Sequence, residues 1–174
     1  MKAKWLGVVC LSLFIVMGSG CGESEEEKQF RQQLLDKALN DEVKQAGEAY
    51  LAENRQRDGV KVTGTGLQYE VIRKGEGKTP ELLDSVKVDY TGWLVSGDQF
   101  ESSREQMEKP IFPVNGVVKG WREALLMMSE GDVWKIYLPS ELAYGAKSPT
   151  VAIPANSALV FEIELIEVVP EKEG

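Results

Sequence analysis

The chain has 174 residues, with 28 acidic and 20 basic side chains, no histidine, and a formal net charge of −8. So acidic a balance lacks the basic surface that displaces counterions from nucleic acid, and it offers no polybasic patch to an anionic membrane. Without imidazole there can be no histidine-based zinc site and no Ser-His or Cys-His nucleophile, and with both cysteines (Cys10 and Cys21) near the N-terminus no disulfide framework staples the body.

Met1 to Lys4 is a short positive segment, Trp5 to Met17 is almost wholly apolar, and Gly18-Ser19-Gly20 leads to Cys21. A positive start, an apolar run and small residues after it form the pattern of a signal peptide over residues 1–20. The run is short for a membrane-spanning helix. A cysteine at this point resembles the lipobox of bacterial lipoproteins, with Gly18 standing where that pattern usually has leucine. The resemblance implies lipidation of Cys21 and a lipid anchor at the cell envelope, on the periplasmic face of the outer membrane in a Gram-negative cell. Gly18 and Gly20 equally fit ordinary signal cleavage, which would leave a soluble periplasmic or secreted protein.

Residues 21–58 read as an acidic helical arm. Glu23 to Arg57 is rich in Glu, Gln, Lys, Ala and Leu and contains no proline, a composition of good helix formers. Phe30, Leu34, Ala38, Val43, Ala46 and Tyr50 recur at helical spacing and form one apolar stripe. Glu23, Glu25, Glu26 and Glu27 crowd the positive end of the helix dipole. Asn40-Asp41 marks a joint, since both residues prefer caps to helix interiors, and Asp58-Gly59 ends the pattern. The arm is either a solvated stalk or the contact of a homodimer. Residues 59–65 read as a linker.

From Gly66 to Val169 the pattern changes to short strands. Leu67 to Ile72 alternates and is broken by Gly75, Gly77 and Pro80. Val86, Val88 and Tyr90 alternate with Lys87, Asp89 and Thr91, and Ser96-Gly97 supplies a turn before Phe100. Val133 to Leu138 is a further strand, and in the last one Phe161, Ile163 and Leu165 alternate with Glu162 and Glu164. Such alternation gives a sheet with one wet and one buried face. Only Trp121 to Met128 looks helical, with Ala124, Leu125 and Met128 facing that buried side. The fold class is therefore α+β: a curved antiparallel sheet wrapped around one short α-helix, preceded by the helical arm. Residues 170–174 are a tail.

Six phrases in this body carry the chemistry: Val88-Asp89-Tyr90-Thr91-Gly92, Gln99-Phe100-Glu101-Ser102-Ser103, Val117-Val118-Lys119-Gly120-Trp121, Ala143-Tyr144-Gly145-Ala146, Ile153-Pro154, and Leu159 through Leu165. In order and spacing they resemble the FKBP-type peptidyl-prolyl isomerases over residues 66–169. The end of the arm, Tyr50 to Val60 followed by Gly66-Leu67-Gln68-Tyr69, resembles the bacterial macrophage-infectivity-potentiator-like branch, whose members carry an N-terminal helical dimerisation region.

The resemblance implies rotation of X–Pro bonds in exported polypeptides, with unfolded or partly folded proline-containing chains as partners and with neither cofactor nor metal. It implies that Trp121 floors an apolar slot and that Tyr90, Phe100, Val117, Val118, Ile153 and Phe161 line its walls. It assigns the Tyr144 hydroxyl and the Val118 backbone N–H to substrate carbonyls, and Glu101 to orienting Tyr90. The family usually has aspartate where Glu101 stands. The basic partner that usually follows is replaced, with Gln106 near its place and Arg104 the closest cation. Macrolides such as tacrolimus or rapamycin are further candidate ligands. The competing reading is a non-enzymatic holdase that binds unfolded envelope proteins. Trp134, Tyr137 and Tyr69 read as core, and Trp93 has no assigned role.

Overall fold

The computed structural model describes residues 24–39 and 42–170. The signal peptide, Cys21, the Asn40-Asp41 joint and residues 171–174 lie outside the described residues. The chain divides into two units, one ending at Leu35 and one beginning at Asp36.

Helix α1 spans Glu25–Leu39. Ser24 opens it with a reciprocal cap: the Glu27 N–H donates to Ser24 Oγ at 3.2 Å, and the Ser24 N–H donates to Glu27 Oε2 at 2.9 Å. Phe30 and Leu34, two members of the apolar stripe, are exposed.

In the second unit, α2 (Glu42–Asn54) precedes β1 (Lys61–Val62), β2 (Gln68–Arg73), β3 (Ser85–Leu94), β4 (Gln99–Ser102) and β5 (Ile111–Pro113). Then come α3 (Lys119–Leu125), β6 (Val133–Leu138) and β7 (Leu159–Val169). Seven strands form one curved antiparallel sheet in the order β1-β2-β6-β7-β3-β4, with β5 also on β3. The outer edge of β3 is shared: Ser85, Val86 and Lys87 face β5, and Thr91, Gly92 and Trp93 face β4. Residues 59–65, read from the sequence as a linker, contribute β1, which pairs with β2.

The period-two pattern becomes the two faces of the sheet. Val86, Val88 and Tyr90 of β3 and Phe161, Ile163 and Leu165 of β7 are buried, while Lys87, Asp89, Glu162 and Glu164 between them reach water. Trp121, Ala124, Leu125 and Met128 join those strand residues in one apolar cluster, so α3 fills the hollow of the sheet. The helix is shorter than the sequence pattern, ending at Leu125, and Met128 is buried from the turn that follows.

The opposite face is capped by α2. Leu51 packs with Tyr137, Ala158 and Val160, flanked by Tyr50, Trp93 and Val95. A side chain at Gly47 would place its Cβ 2.8 Å from Ala158 Cβ, so the close approach of α2 to the start of β7 requires glycine there. Polar bonds fix the other end of the helix. Asn54 Nδ2 donates to Gln68 Oε1 at 2.8 Å, and Gln68 Nε2 donates to the Leu51 carbonyl at 2.9 Å. The Tyr137 hydroxyl donates to Glu70 and accepts from Arg57. Burial, followed by the Glu70 contact, pushes the pKa of that hydroxyl up to about 12. Part of the arm is thus folded onto the sheet.

Candidate active site

A cavity of about 250 Å³ opens between the hollow of the sheet and α3, lined by Tyr90, Glu101, Phe112, Val117, Val118, Trp121, Tyr144 and Phe161. It lies below the 300–1,000 Å³ usual for drug-sized ligands, a size suited to one side chain or ring.

Trp121 forms its base. Tyr90, Phe112 and Phe161 stand nearly perpendicular to the indole, at 85°, 88° and 90°, with centroids 5.1, 6.1 and 5.2 Å away. Each edge-to-face pair is worth about 0.5–1.5 kcal/mol beyond burial, so the three together hold the floor rigid. The Trp121 indole N–H is buried and has no hydrogen-bond partner among the described residues.

Tyr90 is held through its backbone. Its N–H donates to Ser103 Oγ at 2.8 Å and its carbonyl accepts from the Ser103 N–H at 2.9 Å. The Ser103 hydroxyl also donates to Asp89, which pairs with Lys109 Nζ at 3.1 Å. Burial pushes the Asp89 carboxyl up, but Ser103, Lys109 and Arg104 together outweigh it and hold the group below the usual aspartate range. The Tyr90 hydroxyl is pushed strongly upward, first by burial and then by its hydrogen bond to the Glu101 carboxylate.

Tyr144 stands on the long loop between β6 and β7 and is 37% exposed. The loop is closed beside it. Gly145 takes a left-handed φ of 59°, donates its N–H to the Ser140 carbonyl at 2.8 Å, and accepts from the Asn156 N–H at 2.7 Å. Glycine adopts that conformation at no steric cost, which pins the backbone next to Tyr144. Burial, then the Glu101 charge, raises the Tyr144 pKa. Val118 is the N-cap of α3, and its carbonyl accepts the Arg122 N–H at 3.0 Å. Its own N–H lies outside the helical ladder.

The structure brings Tyr90, Glu101, Val117, Val118, Trp121, Tyr144 and Phe161 to one cavity. Phe100 lies behind the lining, with its ring 5.6 Å from Phe161 at 86°. Gly92 leaves room for that pair, since a Cβ there would lie 2.6 Å from Phe100 and 2.8 Å from Phe161. Ile153 is buried in the main apolar cluster and forms a lone bridge to Thr150. Arg104 pairs with Glu162 rather than with Glu101. Phe112 was missed from sequence: it lies between Pro110 and Pro113 in a strand of three residues, too short to alternate. Its one signal was an aromatic ring held in an extended segment by flanking prolines. Trp134, Tyr137 and Tyr69 are packed in the sheet, Tyr69 stacking on Trp134 at 4.5 Å. Trp93 packs beneath α2 with Lys135 over its ring.

The sheet closes over one helix and leaves between them an aromatic slot in which Glu101 is the one carboxylate among the lining residues. Residues 76–166 match the family model described as FKBP-type peptidyl-prolyl cis-trans isomerase, and residues 19–71 match the domain amino-terminal to it. The FKBP-type 22 kDa peptidyl-prolyl cis-trans isomerase of Escherichia coli strain K12 is 48% identical over 122 residues, covering 70% of this chain and 59% of that protein. The protein named outer membrane protein MIP of Legionella longbeachae is 40% identical over 128 residues, covering 74% of this chain and 55% of that one. The crystal structure of FkpA from Escherichia coli superposes with a TM-score of 0.72 at 34% identity, over 85% of this chain and 74% of that one. The chain belongs to the FKBP-type peptidyl-prolyl cis-trans isomerase family, in the branch with an amino-terminal helical region that its sequence resembles. It spans between half and two thirds of the length of these two curated relatives.

Proposed function

We propose that this chain catalyses cis–trans rotation of X–Pro bonds in exported polypeptides. The observation that carries the reading is the floor of the slot, where three rings stand at right angles to Trp121 in a cavity of about 250 Å³, large enough to admit a proline ring. The reaction must overcome a barrier of about 18–20 kcal/mol set by amide resonance, and it makes and breaks no covalent bond. Twisting the amide reduces its charge separation, so an apolar enclosure favours the twisted form over the planar one. Only interactions stronger in that twisted state accelerate the step.

The proline ring enters over Trp121, between Tyr90, Phe112 and Phe161. The Tyr144 hydroxyl and the Val118 N–H donate to the carbonyls flanking the bond, and Glu101 fixes the Tyr90 ring through its hydroxyl. Each such hydrogen bond contributes only about 0.5–1.5 kcal/mol, so apolar shape selection supplies most of the discrimination. A protease-free isomerisation assay on a Leu-Pro peptide tests the reading. The expected result is turnover that Tyr144→Phe lowers, and no turnover at micromolar protein would reject it in favour of the holdase.

We further infer export to the cell envelope with Cys21 lipidated, on the support of the apolar leader and the name carried by the Legionella longbeachae relative. The exposed Phe30 and Leu34 of α1 support the arm as a homodimer contact, with a stalk as the alternative. The mass of the mature N-terminus tests the first inference, and sedimentation with and without residues 24–39 tests the second.

A further inference from the structure

We propose that Glu101 makes this site favour a lysine or arginine over an acidic residue next to the proline; the proposal rests on the isomerase reading above. Among the eight residues lining the slot, Glu101 alone carries a formal charge. It is exposed on β4, opposite Gly92, at the edge of the cavity. The cations on the segment that follows are committed elsewhere. Arg104 pairs with Glu162, and Lys109 holds Asp89 at 3.1 Å together with the carbonyls of Ser103 and Arg104, each at 3.0 Å.

The charge acting on the two pocket hydroxyls agrees with this geometry. Tyr90 and Tyr144 both feel the negative field of Glu101, and no cation among the described residues offsets it. A carboxylate offers about four acceptor positions on two oxygens. The Tyr90 hydroxyl uses one and leaves the rest facing whatever flanks the bound proline. An ammonium or guanidinium there meets an unneutralised carboxylate, and a substrate glutamate meets like charge.

The net charge of −8 attracts cationic chains generally, but that attraction is screened beyond about 10 Å at 0.1 M salt. Position therefore separates the two effects. Exposed ion pairs contribute up to about 1 kcal/mol, which is about fivefold in rate or affinity.

The test uses the full-length protein and two sets of peptides that differ only in the residue before, or the residue after, proline: Lys, Leu or Glu. A control peptide carries its lysine four residues away. The expected result is a Lys-over-Glu ratio in kcat/KM of about threefold to fivefold on at least one flank. The ratio falls toward one in Glu101→Gln, inverts in Glu101→Lys, and is absent for the distant lysine. Dissociation constants from tryptophan fluorescence give the same ratio for a variant too slow to assay. Equal turnover of all three peptides on both flanks, or a ratio that survives Glu101→Gln, overturns this proposal and leaves the isomerase reading standing. Absence of turnover on every peptide overturns both.

Discussion

Tyr90 and Ser103 are tied to each other twice, the Ser103 amide donating to the Tyr90 carbonyl at 2.9 Å and the Ser103 hydroxyl oxygen accepting the Tyr90 amide at 2.8 Å. Ser103 is fully buried, so water cannot replace the hydroxyl. Ser103→Ala leaves the Tyr90 N–H without that acceptor, at about 1–3 kcal/mol. Urea unfolding should show a lower midpoint with an unchanged m-value, and an unchanged midpoint would mean that Ser103 does not hold β3.

The Asp89 carboxyl extends the same network and gives it a pH dependence. Its folded value lies below the unfolded one, near 3.9. The stabilisation is therefore present above that unfolded value and lost as pH falls through the folded one. The difference in Tm between the unmutated protein and Asp89→Asn should be largest near neutrality and shrink below about pH 4. A difference that stays constant from pH 7 to pH 3 would contradict this linkage.

Activity itself should be nearly flat from about pH 6 to 8, because no histidine is present and the proposed mechanism moves no proton. Tyr90 and Tyr144 are both raised above the ordinary tyrosine value, so their hydroxyls stay protonated throughout this range. A bell-shaped kcat/KM profile there would point to an acid–base pair that the slot does not contain.

The sheet and its central helix were legible because alternation survives wherever one face is wet: Val86, Val88 and Tyr90 on β3, and Phe161, Ile163 and Leu165 on β7, fall inward as their spacing requires. Alternation fails where both faces are covered. At the end of β6, Ile136 and Leu138 meet the main core while Tyr137 meets α2, and the docking of α2 was not visible in the sequence. It depends on Gly47 lying against Ala158 and on Asn54 reaching Gln68, contacts between residues distant in sequence that leave no local pattern. Phe112 was hidden because a three-residue strand has no period. The redirection of Arg104 to Glu162 was hidden because β7 is reached only through the folded sheet.

Gly92 separates the needs of the slot from those of the strand. Any side chain there meets the Phe100 and Phe161 rings at 2.6–2.8 Å. Gly92→Ala should force the ring pair apart, costing about 1–3 kcal/mol in chemical denaturation and lowering kcat/KM through the displaced Phe161. Wild-type stability and activity in this variant would show that the ring pair is free to shift.

The central claim is that Trp121 and its perpendicular rings hold the rotating proline. NMR exchange spectroscopy on a Phe-Pro peptide measures this directly, by reading cis–trans interconversion with catalytic amounts of protein. The account predicts clear acceleration by the unmutated protein and a loss of at least about tenfold in Trp121→Ala, equivalent to about 1.4 kcal/mol of transition-state binding. Full acceleration by a folded Trp121→Ala variant, or none by the unmutated protein, would contradict it.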